Sequence, residues 1–322
     1  MDPSCYQLLN HKLQEWKSED IPMIFSQVKD CICMVMLNRS GSDLLRKLYK
    51  ECDEEQMTQL VSSVTDDLCL LMTVCLDSQG SESMQEFLGF LTPKQVVHMI
   101  SFFTYIMIPL ANDQFGSRVI RQYLEMFPAP AVETEPIVDV MAENCLELAY
   151  DKYGSDLLQH ILSKATILSS KGIVSKIISK SYSLSTDEFG HQVMLHVIGL
   201  EMPFDVACIV YGLQGYLHVL ATDEYGSIVL KKLIKAFEGK FASEITRELI
   251  TGPAFLGILL DPDGRSVLES AKTYSRGRAL RNLNDLILRH SDLLDKKRKM
   301  NHACSWKNMA SFLHGDPSLP YI

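Results

Sequence analysis

The sequence is short of the features that most function classes require. No apolar run approaches the roughly 18 residues that cross a bilayer, so no membrane span is expected. The first residues lack a basic region followed by an apolar stretch, because Asp2, Pro3, Gln7 and Asn10 interrupt it, and no secretory leader is predicted. The nine cysteines are odd in number, scattered from Cys5 to Cys304, and form no CxxC pair with a matching histidine spacing. That argues against a zinc ribbon or a disulfide framework and predicts reduced core thiols in an intracellular protein. His98, His160, His191, His196, His218 and His290 show no metal spacing. No GxGxxG, GxxxxGK[ST] or GxSxG motif occurs, and no carboxylate pair stands alone in an apolar setting. Neither an enzyme nor a cofactor is expected.

Cations are also scarce. The net charge is −9, and residues 51–150 carry 3 Lys or Arg against 16 Asp or Glu, while residues 251–322 carry 11 against 7. Generic nucleic-acid affinity comes from cations that neutralise phosphates, so the acidic half should repel a polyanion unless its inner face differs from its outside. Strand-type alternation is rare as well. Helix formers and 3.6-residue apolar spacing dominate, with 47% apolar residues to supply a core, and the class is all-α.

What the chain does have is a repeat. Gly41, Gly80, Gly116, Gly154, Gly190, Gly226 and Gly264 each open a short amphipathic segment, at steps of 39, 36, 38, 36, 36 and 38 residues. A period in that range signals a solenoid of stacked helical units. Seven units over residues 31–275 are predicted, with an atypical half-repeat over 1–30 and a C-terminal cap and basic tail over 276–322. Thr92-Pro93 reads as a helix start. The proline-dense stretch Pro128 to Pro136 reads as an exposed loop. The basic run Lys296-Lys297-Arg298-Lys299 reads as a solvated surface, a phosphate contact or a nuclear signal.

Each unit contains an apolar helix, an acidic turn of the type Asp-x-aromatic-Gly, and a second helix that starts with a small polar residue. The glycine suits a tight turn and close approach of backbones. The aromatic before it recurs at the turn and reads as a packing residue. Positions one, two and five after the glycine project together. Taken singly, a Ser-x-x-x-Gln or Ser-x-x-x-Arg pair is a helix N-cap with a polar residue one turn on. Recurring in register, such pairs form a wall suited to a repeating polymer.

Three stretches carry a family resemblance: Asp-Gln-Phe-Gly-Ser-Arg-Val-Ile-Arg at 113–121, Asp-Lys-Tyr-Gly-Ser-Asp-Leu-Leu-Gln at 151–159 and Asp-Glu-Tyr-Gly-Ser-Ile-Val-Leu-Lys at 223–231. Over about residues 31–275 the chain resembles the Pumilio-like (PUF) RNA-binding repeat proteins, in a short, divergent form similar to the expanded plant set. The resemblance implies a right-handed, crescent-shaped α-solenoid of three-helix repeats that binds single-stranded RNA at about one base per repeat.

The residues implied at the base edges are Ser42 and Arg46, Ser81 and Gln85, Ser117 and Arg121, Ser155 and Gln159, His191 with Leu195, Ser227 and Lys231, and Arg265 and Glu269. Of the stacking positions, filled by Asp43, Glu82, Arg118, Asp156, Gln192, Ile228 and Ser266, Arg118 and Gln192 are the candidates to stack on bases. Ser with Gln pairs with adenine and a small residue with Arg favours cytosine, so the first four repeats imply 5′-A-C-A-C-3′ at the 3′ end of a site. No pair matches a UGU element. The implied partner is mRNA, in its 3′ untranslated region, bound by a cytoplasmic monomer with possible nuclear entry, with effector proteins on the convex face. The alternative is a protein-interaction scaffold whose inner wall, with its acidic stacking positions, has lost RNA affinity.

Overall fold

A computed structural model describes residues 21–126, 135–164 and 167–291. The segment Ser4–Leu9, the prolines Pro128 and Pro130, and the basic run Lys296–Lys299 lie outside the described residues. All regular structure among the described residues is helical.

Seven motif helices recur: Arg39–Glu51, Ser78–Phe90, Gly116–Met126, Lys152–Lys164, Gly190–Gly199, Glu224–Gly239 and Pro262–Tyr274. Each starts the same way. Asn or Asp three residues before the glycine accepts hydrogen bonds from backbone amides of the first turn, which have no partner inside the helix. Asp151 Oδ1 takes Tyr153 N and Gly154 N, both at 2.8 Å, and Asp223 Oδ1 takes Tyr225 N at 3.1 Å and Gly226 N at 2.7 Å. Asn38, Asp77, Asp113, Asp187 and Asp261 do the same in their repeats. The acidic turn is therefore a cap. The serine after the glycine is not the cap that a single repeat suggests; it lies inside the helix.

The glycine follows from packing. A Cβ on Gly41, Gly116, Gly154 or Gly226 would sit 2.1, 2.6, 2.7 or 2.8 Å from the carbonyl oxygen of the residue six earlier, where the preceding helix ends. Residues three, four, seven and eight after the glycine then form one apolar stripe. Val119, Ile120, Tyr123 and Leu124 are buried, as are Leu157, Leu158, Ile161 and Leu162, and Val229, Leu230, Leu233 and Ile234. Ser83 breaks the stripe in the second repeat. Its hydroxyl is satisfied at 2.9 Å by the Met36 carbonyl and at 2.6 Å by Ser42 Oγ.

The chain divides into two compact units, residues 1–177 and 178–322. In the first, motif helices Arg39–Glu51, Ser78–Phe90, Gly116–Met126 and Lys152–Lys164 pack each against the next. In the second, Gly190–Gly199, Glu224–Gly239 and Pro262–Tyr274 do likewise. Flanking helices such as Glu54–Thr65 and Ala242–Ile250 complete the repeats.

Three expectations need correction. Pro93–Ala111 is one continuous helix of 19 residues, long and apolar enough to cross a membrane by length and composition. Half of it is buried in the protein, because Val96, Met99, Ile100, Phe103, Met107 and Leu110 face the core. Its start is as expected: Thr92 N–H donates to Gln95 Oε1 at 2.8 Å, with Pro93 in the first turn. Pro136 is helical, in the first turn of Glu135–Glu143, where a missing N–H costs nothing. Among the described cysteines, Cys33, Cys75 and Cys145 are core residues but Cys69 is exposed. Burial pushes the thiols of Cys33 and Cys52 up to about 11.

Candidate nucleic-acid interface

The capped, stripe-buried motif helix leaves positions two and five on the side away from the core. Position-one residues are mostly not presented. Ser42, Ser81, Ser117, Ser155 and Ser227 are buried. The hydroxyls of Ser81, Ser155 and Ser227 each donate at 3.1 Å to the carbonyl three residues earlier, and that of Ser117 does so at 3.4 Å. Ser42 instead takes part in the contact with Ser83 and accepts from Gln79 Nε2 at 3.1 Å.

Position five is where the repeats meet. Arg121 NH2 donates to Asp156 Oδ2 at 2.5 Å, and its NH1 lies 3.4 Å from His160 Nδ1. Lys231 Nζ donates to Ser266 Oγ at 3.2 Å. In both cases position five of one repeat reaches position two of the next. Arg46 extends to position six instead, where Glu86 accepts from both Nε and NH2, while its NH1 donates to Asp43 at 3.4 Å. Gln85 and Gln159 turn back on their own helices, donating to Ser81 O at 3.1 Å and Ser155 O at 3.2 Å. Burial lowers the His160 pKa, and the Arg121 guanidinium lowers it further, so the ring is a neutral neighbour of the arginine.

The fifth repeat is closed. His191 is 4% exposed and stacks on Tyr225 with ring centroids 4.7 Å apart. Nδ1 pairs with Asp187 O at 3.0 Å, and Nε2 pairs with the Gln192 amide at 2.8 Å. With a donor Nδ1–H, both ring nitrogens are satisfied inside the protein. Leu195, at position five, has no polar atom to offer. In the seventh repeat Arg265 is half-buried and Glu269 exposed. Position two is exposed throughout, with Arg118 5.7 Å over the Phe115 ring and Ile228 39% exposed. The aromatics before the glycines are half-buried, and Tyr225 packs as expected of a turn residue.

The charge on this face differs from that of the chain. Positions one, two, five and six in the first unit hold Arg46, Lys47, Arg118 and Arg121 against Asp43, Glu82, Glu86 and Asp156. In the second unit they hold Lys231, Lys232 and Arg265 against Glu269 alone. In a chain of net charge −9, these positions together hold seven cations against five carboxylates. Sequence reading by positions one, two and five overlooked Glu86, one residue out of register. The Arg121–Asp156 pair was detectable, since the two residues lie 35 apart, close to the repeat period.

Stacked helical units that carry the same polar positions side by side define a repeat-type binding module, with no catalytic constellation required of it. The sequence model described as the Pumilio-family RNA binding repeat matches residues 31–65, 107–122, 144–178 and 216–250. Pumilio homolog 12 of Arabidopsis thaliana is 28% identical over 272 residues, covering 84% of this chain and 45% of that protein. Pumilio homolog 9 of the same plant is 26% identical over 272 residues, covering 84% and 47%. The chain spans about half the length of these curated relatives.

Among solved structures, the RNA-binding domain of yeast Puf5p bound to AAT2 RNA superposes with a TM-score of 0.73 at 20% identity, covering 95% of this chain and 93% of that one. The Puf4 RNA binding domain bound to an HO endonuclease RNA 3′ UTR recognition sequence gives 0.71 at 21% identity, covering 89% and 90%. At these identities the likeness is one of fold. The chain thus carries four stretches that match the Pumilio-family RNA binding repeat, is similar to plant Pumilio proteins, and shares the fold of Puf RNA-binding domains.

Proposed function

We propose that this chain binds single-stranded RNA with sequence selectivity, in the 3′ untranslated regions of mRNAs, and thereby regulates their translation or decay. The observation that carries the reading is the recurrence of hydrogen-bonding side chains at position five, Arg46, Gln85, Arg121, Gln159 and Lys231, on motif helices stacked within each unit. With the serines buried, base selection falls chiefly on position five. Amides suit adenine, and guanidiniums suit cytosine, whose exposed edge offers acceptors. Arg118 and Ile228 supply stacking surface, a contribution of about 1–3 kcal/mol per base where it is made. The fifth repeat, with His191 satisfied internally and Leu195 beside it, contributes spacing rather than selection. Effector proteins engage helices turned away from the motif face.

Selection from a random RNA pool tests this, repeated with Ser117→Asn and Arg121→Gln together. Enrichment in which one register shifts from cytosine towards uracil is the expected result. Exposed carboxylates at position two, Asp43, Glu82 and Asp156, favour a second reading, a protein-interaction scaffold. No enrichment near physiological salt would select it.

A further inference from the structure

The reading arginines of the first and third repeats are partly exposed, and each is held by a carboxylate. Arg46 gives Nε and NH2 to Glu86 and NH1 to Asp43. Arg121 gives NH2 to Asp156 and directs NH1 at His160. In each case the acceptors are on the following motif helix, except Asp43, which shares the helix of Arg46. Gln85 and Gln159 at the same position carry no such partner, since each donates only to its own helix backbone.

We infer that Glu86 and Asp156 gate base reading, holding Arg46 and Arg121 on carboxylates so that a base is read only when its edge can replace the carboxylate. The inference rests on RNA being read at position five. A carboxylate presents two adjacent acceptors to the guanidinium fork. A competing edge must also offer adjacent acceptors, as cytosine does with O2 and N3. A base that cannot do so leaves the ion pair closed and gains nothing from the arginine. The gate therefore weakens binding of the cognate base without helping the others. Once displaced, Asp156 would face the RNA uncompensated, which adds to the cost of opening. The third repeat should thus discriminate less in the wild-type chain than its arginine would allow, and removing the carboxylate should sharpen it.

The test uses Asp156→Asn, Glu86→Gln and, as a charge control, Glu82→Gln. Glu82 is exposed and makes no ion pair among the described residues. Affinity is measured for an RNA selected on the wild-type chain, with cytosine and then uridine at the register of the third repeat. Asp156→Asn should tighten the cytosine RNA by about two- to fivefold, the range expected from releasing an exposed ion pair, beyond whatever Glu82→Gln produces. It should leave the uridine RNA at the level of that control. Equal gains on both RNAs, or none, overturn the gate while leaving RNA reading intact. If the wild-type chain selects no RNA but the Asp156→Asn, Glu86→Gln double variant does, the gate is complete and stands. If neither selects RNA, both the gate and the RNA reading fall. In the RNA-free protein, Arg121 side-chain protons that exchange slowly by NMR in wild type and quickly in Asp156→Asn are the independent signature. Fast exchange in wild type overturns the inference.

Discussion

Side chains at equivalent positions of this chain behave differently because their neighbours differ. Arg121 meets a carboxylate across the repeat boundary, Gln159 meets its own backbone, and Leu195 has no polar atom to pair. Tyr49 shows the same dependence inside the core. Its ring packs against Phe87 and Phe90 at centroid distances of 5.1 and 5.5 Å, yet its buried hydroxyl has no hydrogen-bond partner. A hydroxyl taken from water without compensation is destabilising. Tyr49→Phe, which keeps the ring, is expected to raise unfolding stability by about 1 kcal/mol, measured by chemical denaturation. A loss of stability would mean that the hydroxyl has a partner in solution.

At the level of the element, each motif helix is fixed by two adjacent devices, the Asx cap and the glycine beneath it. The two do different work. The cap satisfies backbone donors, whereas the glycine lets the preceding helix end against the new one. Gly226→Ala would bring a Cβ to 2.8 Å from Leu220 O and 3.0 Å from Leu220 Cα, backbone atoms that cannot swing away. Overpacking of that kind costs about 1–3 kcal/mol. Gly257, in helix Phe255–Leu260, is exposed, and a methyl group added there would meet nothing within 4 Å. Gly257→Ala should therefore stabilise by about 0.5–1 kcal/mol through helix propensity. Thermal unfolding of the two variants side by side separates close approach from simple glycine flexibility. Equal effects would show that the glycines are not packing residues.

For the whole molecule, the question is how a chain of net charge −9 would hold a polyanion. Of its 31 Lys and Arg, 13 lie on the motif helices. In the second unit Lys231, Lys232 and Arg265 make no ion pair among the described residues, whereas two of the first unit's arginines are held by carboxylates. Lys232→Gln should weaken RNA binding to a similar degree for all sequences and reduce the slope of log affinity against log salt by about 0.7, as expected for one lost phosphate contact to a single strand. A sequence-dependent loss, or an unchanged slope, would place Lys232 on a base edge or off the RNA path.

The repeat was legible in the sequence because it is enforced locally. Each Asp-x-aromatic-Gly turn caps its own helix, and the apolar residues at three, four, seven and eight after the glycine fall on one side through helical geometry alone. Period, helical class and the motif helices followed from that. What stands opposite each polar position was not legible, because it depends on distances between residues 35 to 40 apart in sequence. Only packing revealed that the serines turn into their own helices, that His191 is sealed beneath Tyr225, and that the 19-residue apolar helix Pro93–Ala111 packs half of itself into a core. Local chemistry written in the chain was enough to dictate a stack of capped amphipathic helices with polar groups in register. Which of those groups are open to a ligand was settled by the stacking itself, because availability depends on the acceptors that the next repeat brings within hydrogen-bonding distance.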